Sequence, residues 1–442
     1  MCKSMMGVAL GAAAVLLAFG ACAQDAPEPP RDSVWNVMDF GADPEGETDN
    51  SEAFQEALDA AREAGGGVVW APTGEYLFSE PINVPREVTL RGVYHYAPAH
   101  AGIRDGTDEL PEFGTTFLVR AGAGEGEDGA PFISLDNNST LQGVSLYYPD
   151  QDPASAPPAP YPYAVQMRGN NPAIIDVQML NPYNAIDASQ NQRALIRNVH
   201  GQPLHIGVYV DAIYDIGRIE NVHWNPWWSG LGNDLYEWQE ENATAFIFGK
   251  SDWHYVHNTF AFGYNIGYHF IATEAGAANA NLLGIGADRC HTAIKVEETL
   301  PYGLLITNGE FVSFEGEEPT MVRVTDTHSG TVSFVNCAFW GPAHRIGVLE
   351  GTGTVRFSDS TFHNWGGHGE ATEAFRVRSG SVMFRGNEFH QDMPQIILEE
   401  GVTRAIISEN FIHGEERIEN RAAGNVVISN NVSDMMEGED GD

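Results

Sequence analysis

The sequence predicts an all-β protein in which one parallel β-solenoid of about 11–13 coils follows a single capping α-helix. Three observations predict this fold: one amphipathic helix near the start of the chain, an apolar–polar–apolar block that recurs along the rest of it, and a few long intervals between blocks. A length of 442 residues would allow two or three domains, but the recurring block favours one solenoid over residues 35–433.

The capping helix is predicted at about residues 49–64. Asp49 and Glu52 resemble a capping box at its start, and the glycines at 65–67 end it. Apolar residues at three- and four-residue spacing form one face of this helix: Phe54, Ala57, Leu58 and Ala61. Such a helix covers the apolar core and the unpaired backbone groups that the first coil leaves open.

The recurring block consists of an apolar pair, a polar turn that often carries Asn or Asp, and a further apolar residue. Successive blocks are mostly about 20–29 residues apart, which is the length of one coil. Longer intervals predict loop insertions at about residues 150–163 and 225–243, and such insertions often build a binding face. The apolar residues after the turn are predicted to stack in the core: Val177, Val199, Val222, Phe260, Cys290, Phe311, Phe339, Phe362, Phe389, Phe411 and Val432.

Residues 36–78 resemble the N-terminal entry of a known superfamily. The matching segments are FGADPEGETDN at 40–50, the helix to Ala64, and GGGVVWAPTGEYLF at 65–78. They resemble the pectate-lyase-like right-handed parallel β-helices, which include polygalacturonases, rhamnogalacturonases and phage tailspike depolymerases. The resemblance implies a right-handed parallel β-helix. It does not select a reaction, because the superfamily contains hydrolases, lyases, epimerases and non-catalytic binders.

The resemblance does not extend to the catalytic motifs of glycoside hydrolase family 28. In that family, catalytic aspartates in NTD and DD motifs lie at the start of the strand that follows the Asn turn. Here Asn184 stands where the NTD aspartate would be, and His205 and Ile206 stand where DD would be. The family 28 mechanism is therefore not carried over to this chain.

The first 23 residues have the pattern of a secretory signal peptide. Lys3 precedes an apolar run at 7–20 and the small residues Ala21-Cys22-Ala23, so cleavage after Ala23 predicts a secreted or periplasmic bacterial protein. Lipidation of Cys22, as in a lipoprotein, is the alternative. Residues 24–34 are predicted to be a linker and 434–442 a disordered acidic tail. No other stretch is long and apolar enough to span a membrane.

The formal net charge of −38 restricts the partners of this protein. Nucleic acid is excluded, because phosphate binding relies on clustered Lys and Arg. A strongly anionic glycan is disfavoured unless a local basic patch or a bound cation offsets the charge. Cys290 and Cys337 are predicted to be buried free thiols, and no Cys/His spacing indicates a metal. No cofactor is required; calcium dependence and the oligomeric state are left open.

Strand alternation predicts one cluster of ionisable side chains. If Ile186, Val208, Phe246, Tyr268 and Ile294 point inward, the next residue of each strand points outward. That outward column is Asp187, Tyr209, Ile247, His269 and Lys295, and its neighbour is Ser189, Asp211, Gly249, Ile271 and Glu297. Lys250 and Lys295, the chain's two lysines after the signal peptide, both fall here. The candidate catalytic residues are Asp187, Tyr209, Asp211, Lys250, His269 and Lys295.

Two mechanisms suit these residues. A hydrolase needs two carboxylates roughly 5–9.5 Å apart, which Asp187 and Asp211 could supply. A β-eliminating lyase needs a base beside a uronate carboxylate and cations that stabilise the enolate. Tyr209, His269 and the two lysines suit that role. The missing family 28 aspartates favour a lyase-type site slightly, and the overall acidity opposes it.

Aromatic side chains are concentrated in and after the second insertion, and sugars present flat C–H faces that stack on such rings. The candidate substrate-binding residues are Trp227, Trp228, Tyr236, Trp238, Trp253 and His254. Packing of the loop onto the rod is the competing interpretation for these rings. The sequence therefore predicts a secreted enzyme that cleaves glycosidic bonds in a polysaccharide. A non-catalytic glycan-binding or surface-attached rod is the alternative.

Overall fold

The computed structural model describes residues 33–98, 114–126, 128–367 and 373–434. The predicted signal peptide at 1–23, nearly all of the linker and the tail beyond Asp434 lie outside the described residues. Neither of the two α-helices in the described ranges is long and apolar enough to cross a membrane.

The chain folds into a parallel β-solenoid of about 15 turns, which confirms the predicted β-helix. Every strand pair between successive coils is parallel, and the strands form three faces, here named sheets A, B and C. The solenoid is longer than predicted, because coils near the N-terminus lack the recurring block. Val34–Asn36 already pairs with Gly67–Trp70 in sheet A.

Within the described ranges, sheet A contains fifteen strands, and the long ones continue into a neighbouring sheet. They are Val34–Asn36, Gly67–Trp70, Val88–Arg91, Thr140–Gln142, Ala173–Met179, Leu195–Gly201, Arg218–Trp224, Ser251–His257, Ala278–Leu283, Leu304–Thr307, Thr331–Val335, Thr354–Ser358, Phe375–Arg385, Ile396–Ser408 and Asn425–Ser429.

Sheet B follows sheet A within each coil, and sheet C follows sheet B. The further strands of sheet B are Glu45–Asp49, Gly74–Phe78, Thr115–Val119, Ser145–Tyr147, Phe260–Phe262, Gly286–Cys290, Glu310–Ser313, Ala338–Phe339, Thr361–Phe362, Glu388–Phe389, Phe411–Ile412 and Val432–Ser433. Those of sheet C are Ile82–Val84, Ile133–Leu135, Tyr163–Met167, Asn184–Ser189, Ile206–Asp211, Thr244–Phe248, Ile266–Phe270, Thr292–Val296, Thr320–Val324, Arg345–Leu349 and Ile418–Asn420. Gly169–Asn170 and Asn191–Gln192 form a separate two-stranded pair.

The capping helix spans Ser51–Glu63, and its predicted apolar face is buried. Phe54 packs edge-on against Tyr76, Phe78 and Phe117 of sheet B, with ring centroids 4.9–5.4 Å apart. The capping box is not formed. The carboxylate of Asp49 instead accepts hydrogen bonds from the backbone N and Oγ of Ser51, at 3.0 and 2.6 Å. A short 3₁₀ helix, Val37–Phe40, precedes the capping helix in the chain.

The polar turn of the recurring block joins sheet A to sheet B through a residue in the left-handed conformation. Asp176, Asn198, Asn221 and Asn258 have φ values of 52–59° there, a region that Asn and Asp tolerate better than most residues. Their side chains form a ladder along the rod, in which each Nδ2 donates to the residue one coil below, over 2.8, 3.0 and 3.3 Å. This ladder holds successive coils in one register.

Most of the predicted core markers are buried, but the last two point outward. Phe411 is 60% exposed and Val432 is 57% exposed. The buried position opposite Phe389 belongs to Ile412, one residue further along. The turn has the same length in both coils, because Arg385 pairs with Ser408 and Phe389 with Ile412, so the predicted marker stands one residue too early. Phe260 also stands one residue too early, since the neighbouring Ala261 pairs with Ala287. Cys290 is buried, but it follows by three residues Ala287, which pairs with Phe311.

Cys290 and Cys337 are buried free thiols, as predicted. Burial raises the pKa of Cys290 to about 12 and that of Cys337 to about 11. Both side chains therefore stay protonated and act as small apolar groups.

His254, a predicted substrate-binding residue, lies in the interior and is only 3% exposed. Its Nδ1 is 2.9 Å from the Oγ of Ser251, and Gly217 makes room for the ring, because a Cβ there would lie 2.2 Å from its Cε1. Burial lowers the pKa of His254 from 6.5 to about 3, helped by the charge of Arg218. His254 is therefore a neutral core histidine and not a ligand-binding group.

We predict that Phe357→Ala strongly destabilises the rod, whereas Phe411→Ala leaves its stability almost unchanged. Phe357 is fully buried and stacks face to face on Phe334 and Phe384, with centroids 4.8 and 5.2 Å apart. Truncation of such a ring costs about 3–5 kcal/mol, and surface changes usually stay within about 0.5 kcal/mol. Calorimetric melting of both variants measures this. Equal shifts in melting temperature would contradict the assigned register.

We further predict that His254 makes the protein less stable as the pH falls. The unfolded chain protonates this residue below its ordinary pKa of 6.5, and the folded chain resists protonation down to about 3. The free energy of unfolding thus falls by up to about 1.4 kcal/mol per pH unit across that window. In His254→Asn the slope of this free energy, measured by urea unfolding at several pH values, should be shallower. His257→Asn, at a partly exposed histidine, serves as control; a wild-type slope in His254→Asn would refute the assignment.

Candidate functional site

The predicted ionisable column is present on the outer face of sheet C. Its strands pair in the expected register, with Asp187 opposite Tyr209, Tyr209 opposite Ile247, Ile247 opposite His269, and His269 opposite Lys295. The inward partners Ile186, Val208, Phe246, Tyr268 and Ile294 are fully buried. Residues up to 108 positions apart in the chain are therefore vertical neighbours on one surface.

The two aspartates of the site are held by structural hydrogen bonds. Asp187, whose side chain is 10% exposed, forms an ion pair with Arg168 at 2.6 Å and accepts the backbone N–H of Ser189 at 3.0 Å. One oxygen of Asp211 accepts the backbone N–H of Lys250 at 2.7 Å and the hydroxyl of Thr273 at 2.8 Å. These bonds position both carboxylates and leave neither arranged as the acid of a hydrolase.

Tyr209 lies beside both aspartates. Burial, together with the negative charges of Asp211 and Asp187, raises the pKa of its hydroxyl to about 12. The side chain therefore carries its proton at neutral pH, and it can act as a hydrogen-bond donor or a general acid.

His269 and Lys295 converge on one carboxylate. Oε1 of Glu297 lies 2.8 Å from Nε2 of His269 and 2.8 Å from Nζ of Lys295. Burial lowers the pKa of His269, against the opposing effect of Glu297, and the charge of Lys295 lowers it as well. Hydrogen bonds from Lys295 and His269 lower the pKa of Glu297, although burial alone would raise it. The imidazole of His269 is therefore neutral and lies beside the ammonium group of Lys295. When its Nε2–H donates to Glu297, its Nδ1 carries the lone pair and can act as a base.

The coil between these two groups is flat and apolar. It contributes Ile247 to the column and Gly249 to the neighbouring one. Because strands stack about 4.8 Å apart, Tyr209 and His269 stand on strands about 10 Å apart. Tyr209 and His269 are thus separated by one strand, whose outward residue between them is Ile247.

Arg323 extends the column by one coil, opposite Lys295. The sequence analysis stopped at Lys295 and missed it, although the same alternation continues. The guanidinium group of Arg323 has no hydrogen bond or ion pair with any other residue that the structure describes. It lines a groove of about 580 Å³ that four glutamates also line, namely Glu240, Glu241, Glu317 and Glu318. The guanidinium group of Arg323 is therefore a positive charge at the edge of an acidic groove.

Lys250 does not belong to the column, which corrects its predicted catalytic role. Its Nζ pairs with Asp252 and lies 5.8 Å from the centre of the Tyr214 ring. It follows the end of strand Thr244–Phe248, where the chain leaves sheet C for sheet A, so strand alternation no longer applies to it. Because the chain has so few lysines, the sequence suggested that Lys250 and Lys295 share one site. The turn between sheets C and A instead directs Lys250 away from Lys295.

The second insertion packs onto the rod and contains a helix, Asp234–Asn242, that the sequence analysis treated as a loop. Trp228 and Tyr236 are 5% and 1% exposed, and Trp228 packs with Leu204 and Leu235. These two rings have no face free for a sugar, which corrects their predicted binding role. They are buried because a large loop on a smooth rod must bury apolar surface of its own.

Trp227 and Trp238 are half-buried in ring clusters at the turn between sheets B and C. Trp227 lies 4.6 Å from the ring of His223, and Trp238 lies 6.0 Å from His205 and 6.4 Å from Tyr183. Nδ1 of His205 lies 3.1 Å from Oδ1 of Asn184. Asn184 and His205, which stand where family 28 has catalytic aspartates, are therefore neighbours. Binding roles for Trp227 and Trp238 stay predictions.

Trp253 is the predicted binding ring that is most exposed, at 59%. It lines a groove of about 710 Å³ on sheet A, together with Tyr255, Tyr302 and Leu305. This groove shares no residue with the column on sheet C. The structure therefore separates the aromatic surface from the ionisable one, where the sequence suggested a common cleft.

Comparison with known proteins agrees with this architecture. Residues 34–102 match the family model described as rhamnogalacturonase A/epimerase, pectate lyase-like. Alginate lyase 7 of Azotobacter vinelandii is 56% identical over 45 residues, which are 10% of this chain and 5% of that protein. Mannuronan C5-epimerase AlgE2 of the same organism is 37% identical over 114 residues, which are 24% of this chain and 11% of that protein. The chain thus matches only a small part of the length of these relatives.

Among solved structures, DFA-IIIase from Arthrobacter chlorophenolicus A6 in complex with GF2 is similar over 85% of this chain and 94% of that chain. The TM-score is 0.52 and the sequence identity is 11%, so this similarity concerns the fold alone. The matched N-terminal segment and the three-sheet solenoid are thus similar to those of the pectate-lyase-like parallel β-helices.

Proposed function

We propose that this protein is a polysaccharide-active enzyme that removes the proton beside the carboxylate of a uronate residue. Polysaccharide lyases and C5-epimerases both begin with this step. The names of the relatives, an alginate lyase and a mannuronan C5-epimerase, support a uronate polymer as substrate. The observation that carries the proposal is the pair His269 and Lys295 on one oxygen of Glu297, with Arg323 on the next coil.

His269 is the candidate base. Its neutral form persists because burial lowers its pKa, and Glu297 orients the ring. The Nδ1 lone pair takes the proton from C5 of the uronate, and the electron pair of the broken C–H bond moves into the carboxylate as an enolate. A neutral imidazole held in place is suited to this transfer, which commonly contributes 10²–10⁴-fold to the rate.

Lys295 and Arg323 are the candidate groups that neutralise the uronate carboxylate. The enolate that develops carries two negative charges, which are shared by the two oxygens of the former carboxylate. Fixed cations stabilise such charge most when water is excluded. They also supply the local basic patch that an anionic substrate needs on a chain of net charge −38.

Tyr209 is the candidate acid, since its raised pKa keeps the hydroxyl protonated. In elimination the C4–O4 bond breaks, a C4–C5 double bond forms, and the tyrosine proton goes to O4. In epimerisation the proton goes to C5 from the opposite side and no chain bond breaks. The two outcomes share the same first step, and the site is compatible with both.

Hydrolysis by Asp187 and Asp211 has less support, because both carboxylates are held by the structural bonds described above. Binding without catalysis is the second candidate function, and the aromatic groove around Trp253 and Tyr302 favours it. We also propose a secreted or periplasmic location, which rests on the signal-like residues 1–23.

We predict that the protein acts on polymannuronate, alginate or another polyuronate and leaves neutral glycans unchanged. Ultraviolet absorbance detects the unsaturated product of a lyase, proton NMR of the polymer detects epimerisation, and a reducing-end assay without unsaturation detects hydrolysis. Reducing ends alone would refute the proposed proton abstraction. Binding without turnover on every polyuronate would favour the non-catalytic rod.

We predict that His269→Ala and Lys295→Met each lower kcat/KM by about 10²–10⁴-fold, since each removes a group that acts in the transition state. Lys250→Met is the matched control: it removes the other lysine, which pairs with Asp252 away from the column. Melting temperatures test that all three variants fold. Equal losses in the two lysine variants would contradict the placement of the site.

The pH dependence of activity should reflect His269. Because burial lowers its pKa below the ordinary 6.5, the base stays neutral into mildly acidic solution. The acid limb of kcat/KM should therefore lie below pH 6.5. Glu297 favours the protonated imidazole, so Glu297→Gln should move this limb to lower pH. An unchanged limb in that variant would show that another group titrates.

A further inference from the structure

Three histidines form a stack on the outer side of sheet B near the C-terminal end of the solenoid. His363, His390 and His413 each follow a two-residue strand of this sheet in successive coils. Their ring centroids are 3.8 Å apart between the first two and 5.0 Å apart between the last two. The sequence analysis found no Cys/His spacing that indicates a metal, because the separation of these histidines in the chain hides their convergence.

Glu388 brings two of these rings into one cluster. Its Oε2 lies 3.3 Å from Nε2 of His390, and its Oε1 lies 3.4 Å from Nε2 of His413. One ligand atom from each residue can be chosen so that all lie within 4.8 Å of one another. Among the described residues, the group of His, Cys, Asp and Glu side chains close enough together to hold a metal ion is Glu388, His390 and His413.

The two distances from Glu388 oxygens to imidazole nitrogens, 3.3 and 3.4 Å, equal the separation of neighbouring ligands in a zinc coordination shell. Tetrahedral ligands at 2.0–2.1 Å from Zn²⁺ are roughly 3.3–3.4 Å from one another. An imidazole–imidazole–carboxylate set is also a common zinc ligand set. We propose that Glu388, His390 and His413 bind a divalent transition-metal ion of the zinc type.

Asp434 supports this assignment from outside the ligand set. Its Oδ2 lies 3.2 Å from Nδ1 of His413, and its Oδ1 accepts the backbone N–H of Gly414 at 2.5 Å. With Nδ1–H bonded to a carboxylate, Nε2 of His413 carries the lone pair and faces Glu388. Metal-binding histidines are usually oriented by such a carboxylate.

The site is open to solvent, so an ion can enter. The side chains of His390, Glu388 and His413 are 27%, 41% and 47% exposed, and Glu388, His413 and Asp434 line a surface groove of about 260 Å³. Three protein ligands leave one tetrahedral position for water. Because the ligands come from two successive coils and Asp434 from the next, a bound ion ties the last described coils together. Terminal repeats of a solenoid have a neighbour on one side only.

The test uses tag-free full-length protein that has been treated with a chelator. We expect one equivalent of Zn²⁺ to bind in isothermal titration calorimetry, with a rise in melting temperature that EDTA reverses. Co²⁺ should give the strong visible absorption of a four-coordinate site. Absence of Zn²⁺ binding to this protein would overturn the proposal and leave the cluster as a set of surface ion pairs.

Variants locate the site. His413→Ala and Glu388→Gln should weaken Zn²⁺ binding by about a hundredfold or more, and Asp434→Asn, which changes only the orienting carboxylate, by about 10–100-fold. His257→Ala, on sheet A, is the control and should bind as the wild type does. Circular dichroism of the metal-free variants tests that they fold. Wild-type affinity in both His413→Ala and Glu388→Gln would refute this assignment.

Discussion

The parallel pairing of each coil with the next is the constraint on which the rest of this structure depends. Side chains along a strand alternate between core and solvent, so a shift of one residue in a coil would exchange its two faces. The column on sheet C exists because five strands keep the same phase, as the pairs Tyr209–Ile247 and Ile247–His269 illustrate. The polar ladder through Asn198 and Asn221 fixes that phase at the turn between sheets A and B.

Stacking also explains how an acidic chain presents cations to an anionic ligand. Arg168 and Lys295 each pair with a carboxylate of the same face, at 2.6 and 2.8 Å, so their charges are held in fixed positions. Partly buried charges at short range are screened less than the many exposed carboxylates of the surface. Arg323 adds a positive charge without such a partner among the described residues.

The same vertical proximity creates two chemically different surfaces on one rod. On sheet C it joins His269, Tyr209 and the cations Lys295 and Arg323; on sheet B it joins His390, His413 and Glu388. Neither group has a recognisable local motif, since its members come from different coils. In a solenoid, a site consists of residues that occupy the same position in successive coils. Their spacing within one segment of the sequence does not define it.

Sequence periodicity predicted the regular parts of the molecule and failed where the coil is irregular. The buried face of the helix Ser51–Glu63 and the register of sheet C follow from repeats of about 3.6 and 2 residues. Lys250 was misplaced because it stands where the chain turns from sheet C to sheet A, and Phe411 because the marker was set one residue before the buried Ile412. Burial of Trp228 and Tyr236 was also missed, since an aromatic loop residue looks the same in sequence whether it packs or binds.

The sequence alone determined the solenoid, its capping helix and the outward column, because hydrophobic alternation is a local property that every coil repeats. Only the tertiary structure decided which ionisable groups touch. The pairing of Asp187 with Arg168, the sharing of Glu297 by His269 and Lys295, and the convergence of Glu388 with His390 and His413 all depend on side-chain directions across coils. Those directions are set by packing between coils, which no stretch of sequence contains by itself.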